Sequence, residues 1–277
     1  MEKNFVENKT VLVTGATDGI GFETAKQLAE KGARVLLHGR SKEKGIQALK
    51  AITQSTCNGN VSLYLADFSS FADIQRMADE IRRENAALHV LVNNAGNFFK
   101  ERTLNAQGIE MNFAVNHLAP FLLTNLLLDI MRASAPARVV MVASSAHKMI
   151  KEMDFDDLQG EKGYDPFKAY ALSKLGNILF AQALSDRLAG SGVTANSLHP
   201  GVVATSLQKK SYDLEGISAE EGAATSVMLA NSLQAVEISG KYFQNSQERP
   251  PSELAMDKDL QSRFWRVSEE LVNPYLK

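Results

Sequence analysis

The sequence predicts a single α/β domain built on a parallel β-sheet of about seven strands, with helices on both faces of the sheet. Two observations lead to this fold class. Short apolar, β-branched runs alternate along the 277 residues with longer segments of helical periodicity, in six consecutive strand–helix pairs. No stretch has the composition of a linker and no internal repeat occurs, so residues 1–277 are predicted to form one domain.

Seven segments have the length and composition of strands. Most are rich in valine and leucine and end in turn residues; they are 10–14, 34–39, 61–65, 88–92, 138–142, 193–198 and 238–243. Helical periodicity is found between and after them, at about 20–31, 42–53, 71–83, 112–131, 170–188, 219–229 and 253–271.

The helix at 112–131 is apolar on almost every side, which indicates that it is buried. Asn116 lies within it, and a polar side chain in such a helix must find hydrogen-bond partners. The apolar faces of 112–131 and 170–188 exceed what one sheet face can cover, which favours a homodimer or homotetramer. The alternative is that the C-terminal segment covers these helices within one chain.

Composition excludes several classes of function. A formal net charge of -2 gives no strong field for nucleic acid. The first ten residues are polar and no apolar stretch reaches the length of a membrane span, so neither a secretory signal nor a transmembrane segment is expected. Cys57 is the single cysteine and the five histidines are scattered, so no disulfide and no metal site is predicted. We expect a cytoplasmic protein.

A glycine-rich turn follows the first strand directly. Gly15, Gly19 and Gly21 stand between residues 10–14 and the next helical pattern. Glycines let the backbone turn tightly and approach a phosphate, while the helix N-terminus supplies unpaired N–H groups and a favourable dipole. Strand, turn and helix together favour a pyrophosphate site over a turn that binds nothing. The spacing is GxxxGxG rather than the common GxGxxG.

The end of the second strand indicates which dinucleotide would bind. No acidic residue follows 34–39 to take a ribose 2′-hydroxyl; Arg40 stands there instead, which is the chemistry expected for a 2′-phosphate. Asp18, close to the phosphate loop, argues in the other direction. NADP(H) is therefore the expected cofactor, with NAD(H) as the alternative.

Polar residues also follow the third and fourth strands. Asp67 would accept a hydrogen bond from an adenine amino group or act as the N-cap of the next helix. Asn93 and Asn94 would belong to the same site or form a turn. The residues alone leave both alternatives open.

Tyr170 and Lys174 provide candidate acid/base chemistry. Four residues apart on a helix, they lie on one face, one turn from each other. The ammonium favours the phenolate, so it would lower the pKa of Tyr170 from about 10 toward working pH. A tyrosine of that kind is a candidate general acid/base for an alcohol or a carbonyl.

These features converge on one edge of the sheet. In a doubly wound sheet, ligands bind beyond the carboxyl ends of the strands. The features that fall just after predicted strands are Gly15–Gly21, Arg40, Asp67, Asn93–Gly96, Ser144 and Pro200-Gly201.

The sequence resembles the retinol dehydrogenase-like branch of the short-chain dehydrogenase/reductase family in Ala146-His147, the long gap between Ser144 and Tyr170, and Leu172-Ser-Lys-Leu-Gly-Asn177. It resembles the family as a whole from about Lys9 to Phe243. The resemblance is carried by Thr14-Gly15-x-x-x-Gly19-x-Gly21, Asp67, Asn93-Asn-Ala-Gly96, Asn116, Ser144, Tyr170-x-x-x-Lys174 and Pro200-Gly201. It implies a Rossmann-type doubly wound parallel sheet and an enzyme that acts on CH–OH donors with NAD(P).

The resemblance also implies a role for each matching position. Tyr170 would exchange the proton with the substrate oxygen, Lys174 would tune Tyr170 and hold the nicotinamide ribose, Ser144 (rather than Ser145) would bond the substrate oxygen, and Asn116 would hold a water. The implied cofactor-binding residues are Gly15, Thr17, Asp18, Gly19, Ile20, Gly21, Arg40, Asp67, Asn94, Ala95, Gly96, Tyr170, Lys174, Pro200, Gly201 and Thr205.

The expected function is an NADP(H)-dependent oxidoreductase that interconverts a small-molecule alcohol and a carbonyl, on a lipophilic substrate. Substrate loops are expected at 97–102, 146–166 and 206–216. The alternative is a cofactor-binding sensor or scaffold with the same fold and no turnover. The complete set of Asn116, Ser144, Tyr170 and Lys174 argues against it.

Overall fold

The computed structural model describes residues 4–203 and 216–276, and the strands in them form one sheet. In chain order the strands are β1 (Thr10–Val13), β2 (Arg34–Gly39), β3 (Val61–Leu65), β4 (Val90–Asn93), β5 (Ala137–Val142), β6 (Val193–His199), β7 (Tyr242–Gln244) and β8 (Gln247–Arg249). Their order across the sheet is β3-β2-β1-β4-β5-β6-β7-β8. The first seven are parallel, which confirms the predicted doubly wound fold.

Helices cover both faces of this sheet. They are α1 (Gly19–Glu30), α2 (Lys42–Thr56), α3 (Phe71–Glu84), α4 (Met111–Ala133), α5 (Pro166–Arg187), α6 (Ala219–Asn231), the short α7 (Glu253–Met256) and α8 (Lys258–Val272). One core lies between the sheet and α3, α4, α5 and α8. A second core lies between the opposite face and α1, α2 and α6.

Side-chain caps determine where several helices begin. Ser41 and Ser70 cap α2 and α3 by accepting a hydrogen bond from a backbone N–H in the first turn, and Ser218 forms a capping box with Glu221 at α6. Helix α5 begins at Pro166, four residues before the predicted start at Tyr170, because Asp165 caps it and a proline suits the first helical position.

The eighth strand is the main difference from the predicted sheet. β8 is antiparallel to β7, with Gln244 opposite Gln247, so only Asn245 and Ser246 form the turn. Both have positive φ, 51° and 58°, as a two-residue hairpin turn of type I′ requires. An Asn-Ser pair is a weaker turn signal than Asn-Gly, which is why the sequence did not reveal this hairpin.

Helix α4 is an internal helix of the fold. Among the described residues it is the one helix long and apolar enough to cross a membrane, yet 83% of its most apolar stretch is buried inside the protein. Its second turn, Ala114–Leu118, is π-helical and contains Asn116. Such single π turns within an α-helix are frequent at functional sites.

Helix α8 covers the apolar surface that favoured self-association. Trp265 packs edge-on to Phe121 of α4, with ring centroids 5.0 Å apart, and lies 5.4 Å from Phe180 of α5. The guanidinium of Arg187 lies 3.9 Å from the centre of the Trp265 ring. The C-terminal segment therefore covers α4 and α5 within one chain, as the alternative in the sequence analysis had it. A homodimer or homotetramer stays a prediction, but the apolar faces of these two helices no longer argue for it.

We expect Trp265→Ala to lower the free energy of unfolding by about 3–5 kcal/mol, because it leaves a cavity between α4, α5 and α8. Urea denaturation measures the change. Arg266→Ala, at the exposed neighbouring position, is the control and should change stability by no more than about 0.5 kcal/mol. Equal effects of the two substitutions would show that α8 does not close the core.

Candidate active site

The glycine turn after β1 has no space for side chains at two of its positions. A β-carbon on Gly15 would lie 2.9 Å from Ala95 Cα, and one on Gly21 would lie 2.2 Å from Gly15 O and 2.4 Å from Asn94 Nδ2. Gly15 and Gly19 also have φ values of +63° and +55°, which glycine adopts without strain. The turn therefore presents bare backbone at the N-terminus of α1, as a pyrophosphate requires.

The loop after β4 is hydrogen-bonded to this turn. Thr14 Oγ1 accepts from the backbone N–H groups of Asn94 (2.9 Å) and Ala95 (3.0 Å). Asn94 Nδ2 donates to Thr14 O (2.9 Å) and Gly15 O (3.3 Å). These bonds place Gly15, Asn94, Ala95 and the following Gly96 at one point of the sheet edge. Cofactor binding by Asn94 stays a prediction, and its side-chain nitrogen already donates to Thr14 O and Gly15 O.

His38 supports the turn from the neighbouring strand β2. Its Nδ1 accepts from Gly15 N (3.2 Å), so the proton sits on Nε2, which donates to Ala66 O (3.1 Å). The ring stacks on Phe68 with centroids 4.2 Å apart. Burial lowers the pKa of His38 to about 4, which keeps the ring neutral. The sequence did not predict this role for His38; the one signal was its position at the end of a strand, two residues before Arg40.

The residues expected to select the cofactor lie beside this turn. Arg40 is exposed directly after β2. Position 39 before it has room only for glycine, because a β-carbon there would lie 2.3 Å from Thr17 Cγ2. Asp18 is the N-cap of α1 and accepts from Gly19 N (2.8 Å), so its carboxylate has a structural partner that the sequence did not predict.

Asp67 lies after β3 and is not the N-cap of α3, since Ser70 has that role. Its Oδ1 accepts from Ser69 N (2.9 Å) and Ser69 Oγ (2.8 Å), while its own N–H donates to Asp73 Oδ2. The carboxylate therefore closes the turn that leads into α3 from the carboxyl edge of the sheet. The adenine contact stays a prediction.

Tyr170 and Lys174 lie on α5, and the ammonium is 5.5 Å from the centre of the phenol ring. Lys174 is buried, and its Nζ donates to Val142 O (3.3 Å) at the end of β5. Burial lowers the pKa of Lys174 to about 8. In the described ranges, 4–203 and 216–276, no carboxylate forms an ion pair with it.

The side chain of Asn116, on α4, meets Lys174 at the loop after β4. A β-carbon on Gly96 would lie 3.2 Å from both Asn116 Oδ1 and Lys174 Nζ, so these groups converge on the loop after β4. Asn116 Nδ2 donates to Asn97 O (2.9 Å) and to Ser173 Oγ (3.2 Å), and Oδ1 accepts from Asn97 N (2.7 Å). The buried amide has found its partners.

Ser144 follows β5 as the N-cap of a 3₁₀ turn, Ser145–Met149, and is half-buried. Its Oγ accepts from Ala146 N (3.2 Å). His147 is buried behind it, donates from Nδ1 to Ser144 O (2.6 Å) and accepts from Ser252 N (3.1 Å). The turn that carries Ser144 is therefore joined to the backbone of Ser252 through hydrogen bonds of a buried histidine.

The last predicted site residues follow β6. Pro200 and Gly201 continue from its end, and a β-carbon on Gly201, which has φ +93°, would lie 2.8 Å from Ile217 Cδ1. Thr205 and residues 206–215 of the third predicted substrate loop lie outside the described residues.

Comparisons with known proteins identify the family. Residues 9–215 match the short chain dehydrogenase family. The chain is 41% identical over 276 residues to retinol dehydrogenase 12 of Mus musculus, covering 96% of this chain and 87% of that protein. It belongs to the short-chain dehydrogenase family. It is thus an oxidoreductase of the alcohol–carbonyl class, in the retinol dehydrogenase-like branch.

Solved structures similar to this dehydrogenase have the same fold. An uncharacterized protein from Mycobacterium Paratuberculosis superimposes with a TM-score of 0.82 at 30% identity, covering 98% of this chain and 96% of that one. The Pseudomonas aeruginosa RhlG/NADP active-site complex gives a TM-score of 0.73 at 26% identity, covering 88% and 97%.

We expect Gly21→Ala to weaken NADPH binding by this dehydrogenase at least tenfold, because the methyl group would displace Gly15 O and the Asn94 amide from the turn. Titration of NADPH fluorescence measures the dissociation constant. Gly59→Ala is the control, since nothing lies within 4 Å of a β-carbon there. Unchanged affinity in Gly21→Ala would show that the turn is not the phosphate site.

His38 gives the dehydrogenase an acid-sensitive stability. Its folded-state pKa of about 4 lies below the unfolded value of about 6.5, so its contribution is complete above pH 6.5 and is lost as pH falls toward 4. From pH 7 to pH 5, the difference in unfolding free energy between wild type and His38→Asn should shrink by about 2 kcal/mol. Urea denaturation at both pH values tests this; a constant difference would contradict it.

Proposed function

We propose that this dehydrogenase interconverts a lipophilic alcohol and its carbonyl with NADP(H), using Tyr170 as the general acid/base. One observation carries the proposal. The buried ammonium of Lys174 lies 5.5 Å from the Tyr170 ring, at the edge of the sheet where the glycine turn exposes its backbone. A positive charge without a carboxylate partner favours whichever neighbouring group becomes negative.

The cofactor, when bound, supplies the hydride that is added to the carbonyl carbon or removed from the alcohol carbon. The glycine turn and the N-terminus of α1 would hold its pyrophosphate. Lys174 would hold the nicotinamide ribose, as the family resemblance implies. The bare backbone at positions 15 and 21 fits this group.

The residues of the chain handle the proton. As hydride reaches the carbonyl carbon, the electron pair of the C=O bond moves to oxygen, and the Tyr170 O–H gives its proton to that oxygen. Ser144 donates a second hydrogen bond to the developing charge. The phenolate left on Tyr170 is stabilised by the Lys174 ammonium. For alcohol oxidation the same steps run in reverse.

The preference for NADP(H) rests on Arg40. Its exposed guanidinium follows β2, where a forked, charge-assisted contact with a 2′-phosphate can form. The similar RhlG structure was solved with NADP.

A lipophilic substrate is supported by the surroundings of Tyr170. Phe98 lies edge-on to its ring with centroids 5.7 Å apart, and Phe167 lies 5.1 Å from Phe98. In the segments that follow β5 and β6, Met149 and Val202 are exposed apolar side chains. The similar mammalian protein is named for retinol, a lipophilic alcohol.

Location in the cytoplasm also remains a proposal. It rests on the single, exposed Cys57, which suits a reducing compartment. Cell fractionation tests it, and recovery in the membrane pellet would contradict it.

Tyr170→Phe keeps the ring and removes the proton donor. We expect turnover of NADPH with a panel of aldehydes, retinaldehyde among them, to fall by about 10²- to 10⁴-fold, while NADPH affinity changes little. Tyr275→Phe is the control. It removes a hydroxyl in the C-terminal segment that accepts a hydrogen bond from the side chain of Gln107. Near-normal turnover in Tyr170→Phe would refute the mechanism. NADPH binding by a wild type that turns over no member of the panel would favour the sensor or scaffold alternative.

Arg40→Ala should lower kcat/KM for NADPH by about tenfold and leave the value for NADH unchanged, because it removes one exposed, charge-assisted contact to the 2′-phosphate. Steady-state kinetics with both cofactors measure this. Lys50→Ala removes a similarly exposed cation further along α2 and should change neither value. Equal losses for NADPH and NADH in Arg40→Ala would contradict the assignment.

A further inference from the structure

Two asparagines on α4 hold the start of the first predicted substrate loop through pairs of backbone hydrogen bonds. Asn116 bonds both backbone groups of Asn97, as described above. One turn earlier, Asn112 does the same for Phe99: its Oδ1 accepts from Phe99 N (3.2 Å) and its Nδ2 donates to Phe99 O (3.1 Å). The two amides thus pair with alternate residues of the loop, in the way a neighbouring strand would.

Phe98, between the two clamped residues, is the side chain this arrangement places. It is buried, and its ring contacts both Tyr170, at 5.7 Å between centroids, and Phe167, at 5.1 Å. The position of Phe98 is therefore set by hydrogen bonds to α4, whereas its packing is against α5. A shift of residues 97–99 would move the ring that packs against Tyr170.

Asn112 is itself held by a buried carboxylate. Glu110 is 1% exposed, and its Oε1 accepts from Asn112 N (2.8 Å) and Asn112 Nδ2 (3.0 Å), while its Oε2 accepts from Phe113 N (2.8 Å). Hydrogen bonds of this kind satisfy a buried carboxylate without a cation. Within 4–203 and 216–276, Glu110 forms no ion pair.

Tyr164, from the second predicted substrate loop, completes the cluster. Its hydroxyl lies 2.9 Å from Glu110 Oε1 and 3.0 Å from Phe99 O, both acceptors, and 2.8 Å from Asn112 Nδ2, whose two hydrogens are shared among this hydroxyl, Glu110 Oε1 and Phe99 O. Burial, and then the Glu110 charge, raise the pKa of Tyr164, so the hydroxyl keeps its proton and remains a donor. The cluster therefore joins loop 97–102, loop 146–166 and α4 at one point.

We propose that Glu110, Asn112 and Tyr164 are positioning residues for the reaction: they clamp Phe99 so that Phe98 holds the Tyr170 ring in its reactive position. The inference rests on the proposed function, since it concerns the same phenol. None of the three needs to touch substrate or cofactor. They act through the backbone of residues 97–99 and the ring of Phe98.

The test removes one hydroxyl from the cluster. Tyr164→Phe keeps the ring and should lower kcat for aldehyde reduction about tenfold, since a displacement of a fraction of an ångström has an effect of this order. The dissociation constant of NADPH should stay within about twofold of wild type, because the glycine turn is not involved. Asn112→Leu is a second variant of similar size that carries no donor for Phe99 O, and it should lower kcat in the same way.

Tyr64→Phe is the matched control. The Tyr64 hydroxyl also donates to a glutamate, Glu84 (3.1 Å), and accepts from an asparagine, Asn85 (2.9 Å), but it lies on β3 away from Tyr170. A purely structural role for Tyr164 would give the two variants the same kcat and similar losses of thermal stability. Positioning predicts similar stability losses and a lower kcat in Tyr164→Phe alone.

A double-mutant cycle tests the route through Phe98. If the clamp acts through that ring, Tyr164→Phe should lower kcat less than threefold in a Phe98→Leu background. Equal kcat in Tyr164→Phe and Tyr64→Phe, or an undiminished tenfold loss in the Phe98→Leu background, would overturn the inference. Neither result affects the proposed function, which would instead be refuted by absence of turnover in wild type or by full turnover in Tyr170→Phe.

Discussion

The rest of the site depends on a positive charge placed where it is poorly solvated. Lys174 is buried on α5, and a carbonyl oxygen of β5 accepts its hydrogen bond. Burial lowers the pKa of Lys174 from 10.5 to about 8, so keeping the ammonium charged in the folded protein at pH 7 costs on the order of 3 kcal/mol of folding free energy. That is a substantial part of the 5–15 kcal/mol by which proteins of this kind are stable. The ammonium remains charged at pH 7, so it is available to stabilise negative charge on a neighbour, and the Tyr170 ring lies 5.5 Å from it.

The parallel sheet brings this charge to the phosphate loop. Strands β1, β4 and β5 are neighbours, so the glycine turn, the loop after β4 and the turn that carries Ser144 leave the sheet at one edge. Hydrogen bonds then fix their distances: Thr14 joins the first two, and His38 fixes the glycine turn from β2. Asn116, on a π-helical turn, meets Lys174 at Gly96. These contacts determine where a ligand can lie.

The sequence predicted what depends on local pattern and missed what depends on distant partners. Strand and helix periodicity, the glycine spacing and the Tyr170–Lys174 interval are local, and the fold followed from them. The role of His38 depends on Gly15 and Ala66, which only the folded sheet brings to it. Tyr164 and Glu110 are 54 residues apart, so no periodicity relates them. The cover that α8 provides for α4 and α5 stood only as an alternative to self-association, because it depends on where the chain returns after β8 and composition does not encode that direction.

The most direct test of the central claim is the pH dependence of kcat for alcohol oxidation, at saturating alcohol and cofactor, in wild type and in Lys174→Met. Oxidation requires the phenolate, so kcat should rise with pH. If Lys174 stabilises that phenolate, the wild-type midpoint lies below the free tyrosine value of about 10, and the variant midpoint moves up toward or past 10. Lys174→Arg, which keeps a charge in a different geometry, should fall between them. The same midpoint in wild type and Lys174→Met would contradict the account.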